Sequence, residues 1–252
     1  MTESPRKVVL VTGGSRGIGA ATALLAAERG WSVAVNYSAN SLAADEVVRQ
    51  IRAAGSHAIA VQADVGDEAQ VMAMFARVDA KFGRLDALVN NAGVVDVAQR
   101  VDGMSAQRLK RMFDINVIGA FLCAREAVRR MSTRHGGAGG AIVNVSSAAS
   151  RLGSPNQYVD YAASKGAIDV MTIGLAKEVA TEGIRVNAVR PGLIETEIHA
   201  SGGMPDRVRE LAPQVPMQRG GSAREVAQAI VWLMSDEASY TTLSLVDVSG
   251  GR

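Results

Sequence analysis

Short β-branched runs alternate with longer helical patterns along the whole chain, and this alternation limits the possible folds more than any other feature. KVVLVT, SVAVNY, HAIAVQADV, LDALVNNAG, GGAIVNVSS, IRVNAVRPG and LSLVDV read as strands. Each is apolar almost throughout rather than at every second residue, as a strand buried on both faces must be. Between them lie GIGAATALLAAERG, closed by Gly30, and SLAADEVVRQIRAAG, capped by Asn40 or Ser41 and closed by Gly55. The amphipathic DEAQVMAMFARVDAKFG follows, then helices over about Met112–Met131 and Tyr158–Thr181. In the last, SAREVAQAIVWLMS, Ser222 and Glu225 make a capping box. Strands separated by helices cannot join as hairpins and need crossovers. The expected class is therefore α/β, a doubly wound sheet of seven parallel strands with helices on both faces.

The first strand runs into TGGSRGIG, Thr12 to Gly19, with Gly13, Gly17 and Gly19 spaced G-x3-G-x-G. Glycines so placed permit a tight turn, close backbone approach to a diphosphate and close packing of helix on sheet. The following helix aims its free N–H groups at the same anion. A strand before and a helix after make this a dinucleotide cradle, so the sheet is expected to be Rossmann-type. Ser15, Arg16 and Ile18 complete the turn. An acid ending the second strand would bind the adenosine ribose hydroxyls and select NAD. Asn36, Tyr37 and Ser38 stand there instead, and the Arg16 guanidinium suits a 2′-phosphate. NADP is the expected cofactor, with NAD as the alternative, because Asn36 can also bond a ribose hydroxyl. Aspartate at position 36 is expected to shift preference toward NAD.

SPNQYVDYAASKGA, residues 154–167, holds two tyrosines and one lysine. Tyr161 and Lys165 are four apart, hence on one helix face and about 6 Å apart along the axis. Tyr158 and Lys165 are about 10.5 Å apart by the same rise, too far for direct coupling. A free tyrosine has a pKa near 10, so one acting as a base at neutral pH needs roughly 4 kcal/mol of help, part of which an adjacent ammonium supplies. A serine hydroxyl could hold the carbonyl oxygen as charge develops there. NVSSAAS offers Ser146, Ser147 and Ser150, and strand alternation lets only one of the first two reach the site. Tyr158 is expected to wall the cleft.

No linker interrupts the pattern. The 252 residues, 48% apolar and 21% charged, are expected to form one nucleotide-binding domain, 1–252. Glycines and prolines crowd residues 194–218, which are expected to be a loop without regular structure acting as a substrate lid. The net charge is +2. Arg125, Arg129, Arg130 and Arg134 recur at helical spacing around Glu126, a solvated helix face, so no nucleic-acid partner is expected. The N-terminal apolar run is too short for a signal peptide or a span, so no membrane partner is expected. A single cysteine, Cys123, excludes an internal disulfide and suits a cytoplasmic setting. His57 and His135 have no partner at ligand spacing, and Glu195, Glu197 and His199 lack a further ligand, so no metal is expected.

TGGSRGIG, ADV, NNAG, DINVIGAF, NVSSAAS, YAASK, VRPG and DVSGG occur in order through almost the whole chain, which by these motifs resembles the short-chain dehydrogenase/reductase family. The resemblance implies a single-domain enzyme, assembled as a homotetramer or homodimer, that interconverts a small-molecule carbonyl and alcohol. It makes Tyr161 the general acid/base and gives Lys165 the nicotinamide ribose. It makes Ser147 the residue that polarises the substrate oxygen, and Asn116 the support of a proton path from the lysine. Asp64 and Val65 would flank the adenine. Asn90, Asn91, Ala92 and Gly93 would line the cofactor. Pro191, Gly192 and Ile194 would pack on the nicotinamide, with Thr196 on its phosphates or amide. Val94, Val95, Arg151 and Tyr158 would border the substrate with the 194–218 loop.

Two departures stand out. The Ser147–Tyr161 separation is one residue longer than the family's commonest spacing, which implies a one-residue insertion in SRLGSPNQYVD beside the substrate. Many relatives carry glycine where this chain has Leu243, so a positive φ there would strain the leucine. A nucleotide-binding scaffold or regulator on the same fold is the alternative to an enzyme, but a binder needs no proton relay. Sugars, polyols, acyl thioesters, steroids and small ketones all remain open as substrates.

Overall fold

The computed structural model describes residues 6–252. Seven strands form one sheet: β1 (Val8–Val11), β2 (Ser32–Tyr37), β3 (Ala58–Gln62), β4 (Ala87–Asn90), β5 (Gly140–Val145), β6 (Ile184–Pro191) and, after two short strands described below, β9 (Leu245–Val248). Their order is β3-β2-β1-β4-β5-β6-β9, and every neighbouring pair is parallel. The chain winds outward from β1 to β3, then returns to β4 on the other side of β1. That reversal opens a crevice at the carboxyl ends of β1 and β4, where ligands bind in such sheets.

Successive residues of β1 enter opposite cores, as strand alternation requires. Val9 and Val11 join Leu25 of α1 (Gly17–Glu28), Ile51 of α2 (Ser41–Ala53) and Ile230 of α10 (Ala223–Met234). Val8 and Leu10 join Phe75 of α3 (Glu68–Phe82), Ala124 of α5 (Gly119–Met131) and Met171 of α7 (Val159–Val179). Met74 and Phe75 are core residues, whereas Met72 is half exposed. Among the described residues no helix is long and apolar enough to cross a membrane.

The helix expected from about Met112 starts earlier, with α4 (Ala106–Phe113), whose Ser105 N-cap accepts the Arg108 N–H. It then widens into one π turn, Asp114–Ile118, before continuing as α5. Such turns concentrate at functional sites, and this one contains Asn116.

The segment after β6 departs further from expectation. It is not a loop without regular structure. A short parallel pair, β7 (Ile194–Glu195) with β8 (Gly221–Ser222), hems its two ends. Between them lie two short helices, α8 (Ile198–Ser201) and α9 (Arg207–Leu211). Gly202, Gly203 and Pro205 separate these helices, and Gly203 has φ of +77°.

Leu243 does adopt a positive φ, +64°. Its N–H donates to the Val186 carbonyl (2.7 Å), and its side chain packs partly buried against the second core. Strain and packing therefore oppose each other. Leu243→Ala loses the packing and keeps the strain; Leu243→Gly loses the packing and removes the strain. The glycine variant is expected to be more stable than the alanine variant by about 1 kcal/mol in urea unfolding, and the reverse order would refute the strain.

Candidate active site at the carboxyl edge of the sheet

The glycine turn closes over the ends of β1 and β4. Thr12 Oγ accepts the N–H groups of Asn91 and Ala92, each at 3.0 Å. Asn91 Nδ2 returns bonds to the carbonyls of Thr12 (2.9 Å) and Gly13 (3.0 Å). Gly17 has φ of +53°, and a Cβ on Gly19 would lie 2.3 Å from the Gly13 carbonyl, so both positions require glycine. The first turn of α1 holds no acid of its own, although Glu197 Oε2 approaches it, 3.8 Å from where a Cβ on Gly17 would lie. Arg16 is exposed, with no hydrogen-bond or ion-pair partner among the described residues. These features fit a dinucleotide diphosphate.

Asn36 corrects an expectation. Its side chain is buried: Oδ1 accepts the Gly13 N–H (3.0 Å) and Nδ2 donates to the carbonyls of Val61 (3.2 Å) and Ala63 (3.0 Å). The amide braces the glycine turn against β3, and both its donors are committed. Its amide therefore has no donor left for a ribose hydroxyl. An aspartate there would face two carbonyl oxygens instead of selecting a cofactor. Tyr37, partly buried, and Ser38, exposed, remain at the rim. Asp64 Oδ1 accepts the Gly66 N–H (2.9 Å), and Val65 beside it is buried.

The reacting groups converge from β5, the π turn and α7. Ser146 and Ser147 point apart: Ser146 is buried with Oγ bonded to the Lys165 carbonyl (3.1 Å), while Ser147, whose Oγ accepts the Ala149 N–H (3.1 Å), lines the cleft with Tyr161. Burial pushes the Tyr161 phenol above its ordinary pKa, and the nearby Ser147 hydroxyl opposes that rise. Lys165 is 4% exposed; Nζ donates to the Val145 carbonyl (2.8 Å) and lies 5.7 Å from the Tyr161 ring centre. Burial lowers its pKa to about 8, against the opposing charge of Asp169. Asn116 holds the Val94 backbone at both ends, accepting its N–H (2.8 Å) and donating to its carbonyl (3.0 Å), and also bonds Ser164 Oγ (3.1 Å). A Cβ on Gly93 would lie 3.4 Å from both Lys165 Nζ and Asn116 Oδ1, so Gly93 borders both polar groups.

Ser147 and Tyr161, on either side of the stretch expected to hold an extra residue, line the same cleft. After β5 the chain makes α6 (Ala149–Leu152), then turns through positive φ at Gly153, Ser154 and Asn156. Tyr158 is buried, its hydroxyl donates to the Gly202 carbonyl (3.0 Å), and burial raises its pKa. It ties the 194–218 segment to the start of α7.

Ser147, Tyr161 and Lys165 line one cleft of about 180 Å³ with Val95, Tyr158 and Ile194. Ile18, Asn91, Gly93, Pro191, Gly192 and Thr196 also border it. Thr196 faces the glycine turn; a Cβ on Gly17 would meet its Cγ2 at 3.3 Å. Val94 and Arg151 do not line the cleft. The Val94 backbone is taken by Asn116, and Arg151 pairs with Asp247 (3.1 Å). Arg207 and Arg252 line it instead, and the sequence pattern gives neither away. Among the described residues no group of three or more His, Cys, Asp or Glu could hold a metal, and the His199 side chain lies outside them.

Comparisons with known proteins agree with this geometry. A family model described as "Enoyl-(Acyl carrier protein) reductase" matches residues 13–252. The chain is 60% identical over 245 residues to "Uncharacterized oxidoreductase YgfF" of Escherichia coli, covering 97% of this chain and 99% of that one. It is 39% identical over 248 residues to the 3-oxoacyl-[acyl-carrier-protein] reductase FabG of Staphylococcus aureus, covering 97% of each. A crystal structure of a short-chain type dehydrogenase/reductase from Mycobacterium marinum superimposes with a TM-score of 0.91 at 35% identity, over 97% of this chain and 94% of that one.

Proposed function

The chain belongs to the short-chain dehydrogenase/reductase family, and from that premise we propose that it is an NADP-dependent enzyme interconverting a carbonyl and an alcohol, with Tyr161 as general acid/base. NAD(P)-dependent oxidoreduction comes with the family. The observation that carries the finer reading is that Ser147 and Tyr161 line one cleft beside a buried Lys165, at the carboxyl edge of the sheet.

A bound nicotinamide dinucleotide supplies or accepts the hydride. The glycine turn, Arg16, Asn91 and Thr196 would hold its phosphates and ribose groups, and Gly93, Pro191, Gly192 and Ile194 its nicotinamide end. Ser147 and Tyr161 together grip the substrate oxygen. A phenol held above its ordinary pKa keeps its proton at neutral pH, which suits donation to that oxygen and hence reduction. Lys165, with a pKa of about 8, is mostly protonated at pH 7 and favours the phenolate left behind. Asn116, fixed by Val94 and Ser164, supports a proton path to the lysine.

The unpaired Arg16 supports NADP over NAD. Arg16→Met is expected to lower the NADPH/NADH ratio of kcat/KM by about tenfold or more, the effect of one lost charge-assisted hydrogen bond. An unchanged ratio would overturn the preference. A panel of ketones, sugars, polyols and 3-oxoacyl thioesters assayed with NADPH and NADH tests the function itself. Turnover of no member with either cofactor would sink it.

Exposed Phe121 on α5 and Val170 on α7 support a homodimer or homotetramer. Cys123, its thiol pushed up to about 12 by burial, and the lack of any other cysteine support a cytoplasmic setting. The tie between Tyr158 and Gly202 supports the 194–218 segment as a substrate lid.

A further inference from the structure

Arginines buried elsewhere in this protein have their charge or their donors satisfied. Arg108 pairs with Asp160 (2.7 Å) and Arg190 with Asp169 (2.9 Å). Arg185 donates to the carbonyls of Leu233, Thr241 and Ser235. Arg207 is the exception at the catalytic cleft. It is partly buried on α9, with its guanidinium 5.3 Å from the Tyr158 ring centre. The one hydrogen bond of its guanidinium among the described residues goes to Met204 Sδ (3.1 Å), and no carboxylate there pairs with it. The neighbouring Asp206 is turned to Arg209 (3.2 Å).

A second cation borders the same cleft. Arg252 is held in place by its own carbonyl, which accepts from Arg151 Nη2 (3.1 Å) and Ser249 Oγ (2.9 Å). Its side chain has no ion-pair partner among the described residues. Burial pushes the Arg207 pKa down, Tyr158 opposes that, and the Arg252 charge adds a smaller downward push. Two guanidinium charges on one cleft, partly dehydrated and with no side-chain carboxylate partner among the described residues, are costly unless an anion from outside completes them. Both line the cleft that also exposes Ser147 and Tyr161.

We propose that the substrate of this cleft carries an anionic group, a carboxylate or a phosphate, gripped by Arg207 and Arg252 while its carbonyl rests on Ser147 and Tyr161. This rests on the oxidoreductase reading above and narrows its substrate class. The tie from Tyr158 to Gly202 holds the segment that bears Arg207 beside the helix that bears Tyr161. The two ends of such a substrate are therefore read by elements already joined to each other.

The test uses matched pairs differing only in charge: 4-oxopentanoate against its methyl ester, and dihydroxyacetone phosphate against dihydroxyacetone. The wild-type protein is expected to favour the anion in at least one pair by about tenfold or more in kcat/KM. The pair that responds distinguishes carboxylate from phosphate. Arg207→Gln is expected to cut that preference by about tenfold, chiefly through KM, while Arg207→Lys keeps part of it because the charge remains. If Arg207 only packs on Tyr158, glutamine and lysine will act alike, which overturns the proposal. Equal use of both members in both pairs overturns it too and leaves the oxidoreductase reading standing. If no member is turned over, the oxidoreductase reading is left to the wider panel, and binding decides this one. Thermal stabilisation of the NADP-saturated protein by 4-oxopentanoate or dihydroxyacetone phosphate, lost in Arg207→Gln, supports the site. No stabilisation by either anion refutes it. Thermal unfolding and NADP affinity of each variant verify that it is folded.

Discussion

Tyr161→Phe is expected to lower kcat by about 10³-fold, close to 4 kcal/mol of barrier, with NADPH affinity within about twofold of the wild type. The substitution removes one oxygen from a ring whose packing it leaves in place. Tyr161 lines the cleft together with Ser147. Without its hydroxyl the substrate oxygen keeps the Ser147 hydroxyl but has no acid to protonate it. Tyr158 offers no rescue, because its hydroxyl is spent on Gly202 and its pKa is raised by burial. Fluorescence titration with NADPH alongside steady-state kinetics separates binding from chemistry. A kcat within tenfold of the wild type would remove Tyr161 from the mechanism.

Lys165→Met is expected to abolish turnover and at the same time stabilise the fold. Burial drops the lysine pKa from 10.5 to about 8, so at pH 7 the native protein carries a charge held in an unfavourable site, on the order of 3 kcal/mol. Methionine removes that charge but leaves the Val145 carbonyl without the Nζ bond, a loss of about 1 kcal/mol. The net gain is about 1–2 kcal/mol at pH 7. Below pH 8 the lysine is charged whether the chain is folded or not, and the whole cost is present. Between pH 8 and 10.5 the folded chain gives up the proton first, so wild-type stability rises relative to the variant. Urea unfolding of both proteins at pH 7 and pH 9.5 should show the gap narrowing. A variant less stable than the wild type at pH 7, or a gap that widens with pH, would contradict the burial cost.

The sheet was legible because apolar strands and helix periods repeat without interruption, and the parallel order follows from that alternation. Tyr161 could be told from Tyr158 by helix spacing alone, since only one of them shares a face with Lys165. The choice of Ser147 over Ser146 needed the family resemblance, because alternation says that the two diverge but not which one faces the cleft. Asn36 was misread because a polar residue at the end of β2 resembles a cofactor ligand, while its direction depends on how deeply the glycine turn sits against β3. The π turn leaves no periodic trace, so the helix around Asn116 could be expected but not its widening. Arg207 and Arg252 reach the active cleft only through the folding of the 194–218 segment and of the chain's last turn. No local pattern brings residues so distant in sequence together.

The π turn at Asp114–Ile118 has a consequence for how this chain tolerates change. It gives the helix one residue more than regular α-helical winding would need between its two docked halves. Deleting a residue there would restore regular winding and leave both halves docked, but it would remove the widened turn that carries Asn116. Asn116 would leave Val94 while α5 kept its seat in the core. A deletion that improves the helix by every local measure would thus be lethal to the site. The irregularity is held in place by what Asn116 bonds rather than by the winding of the helix itself.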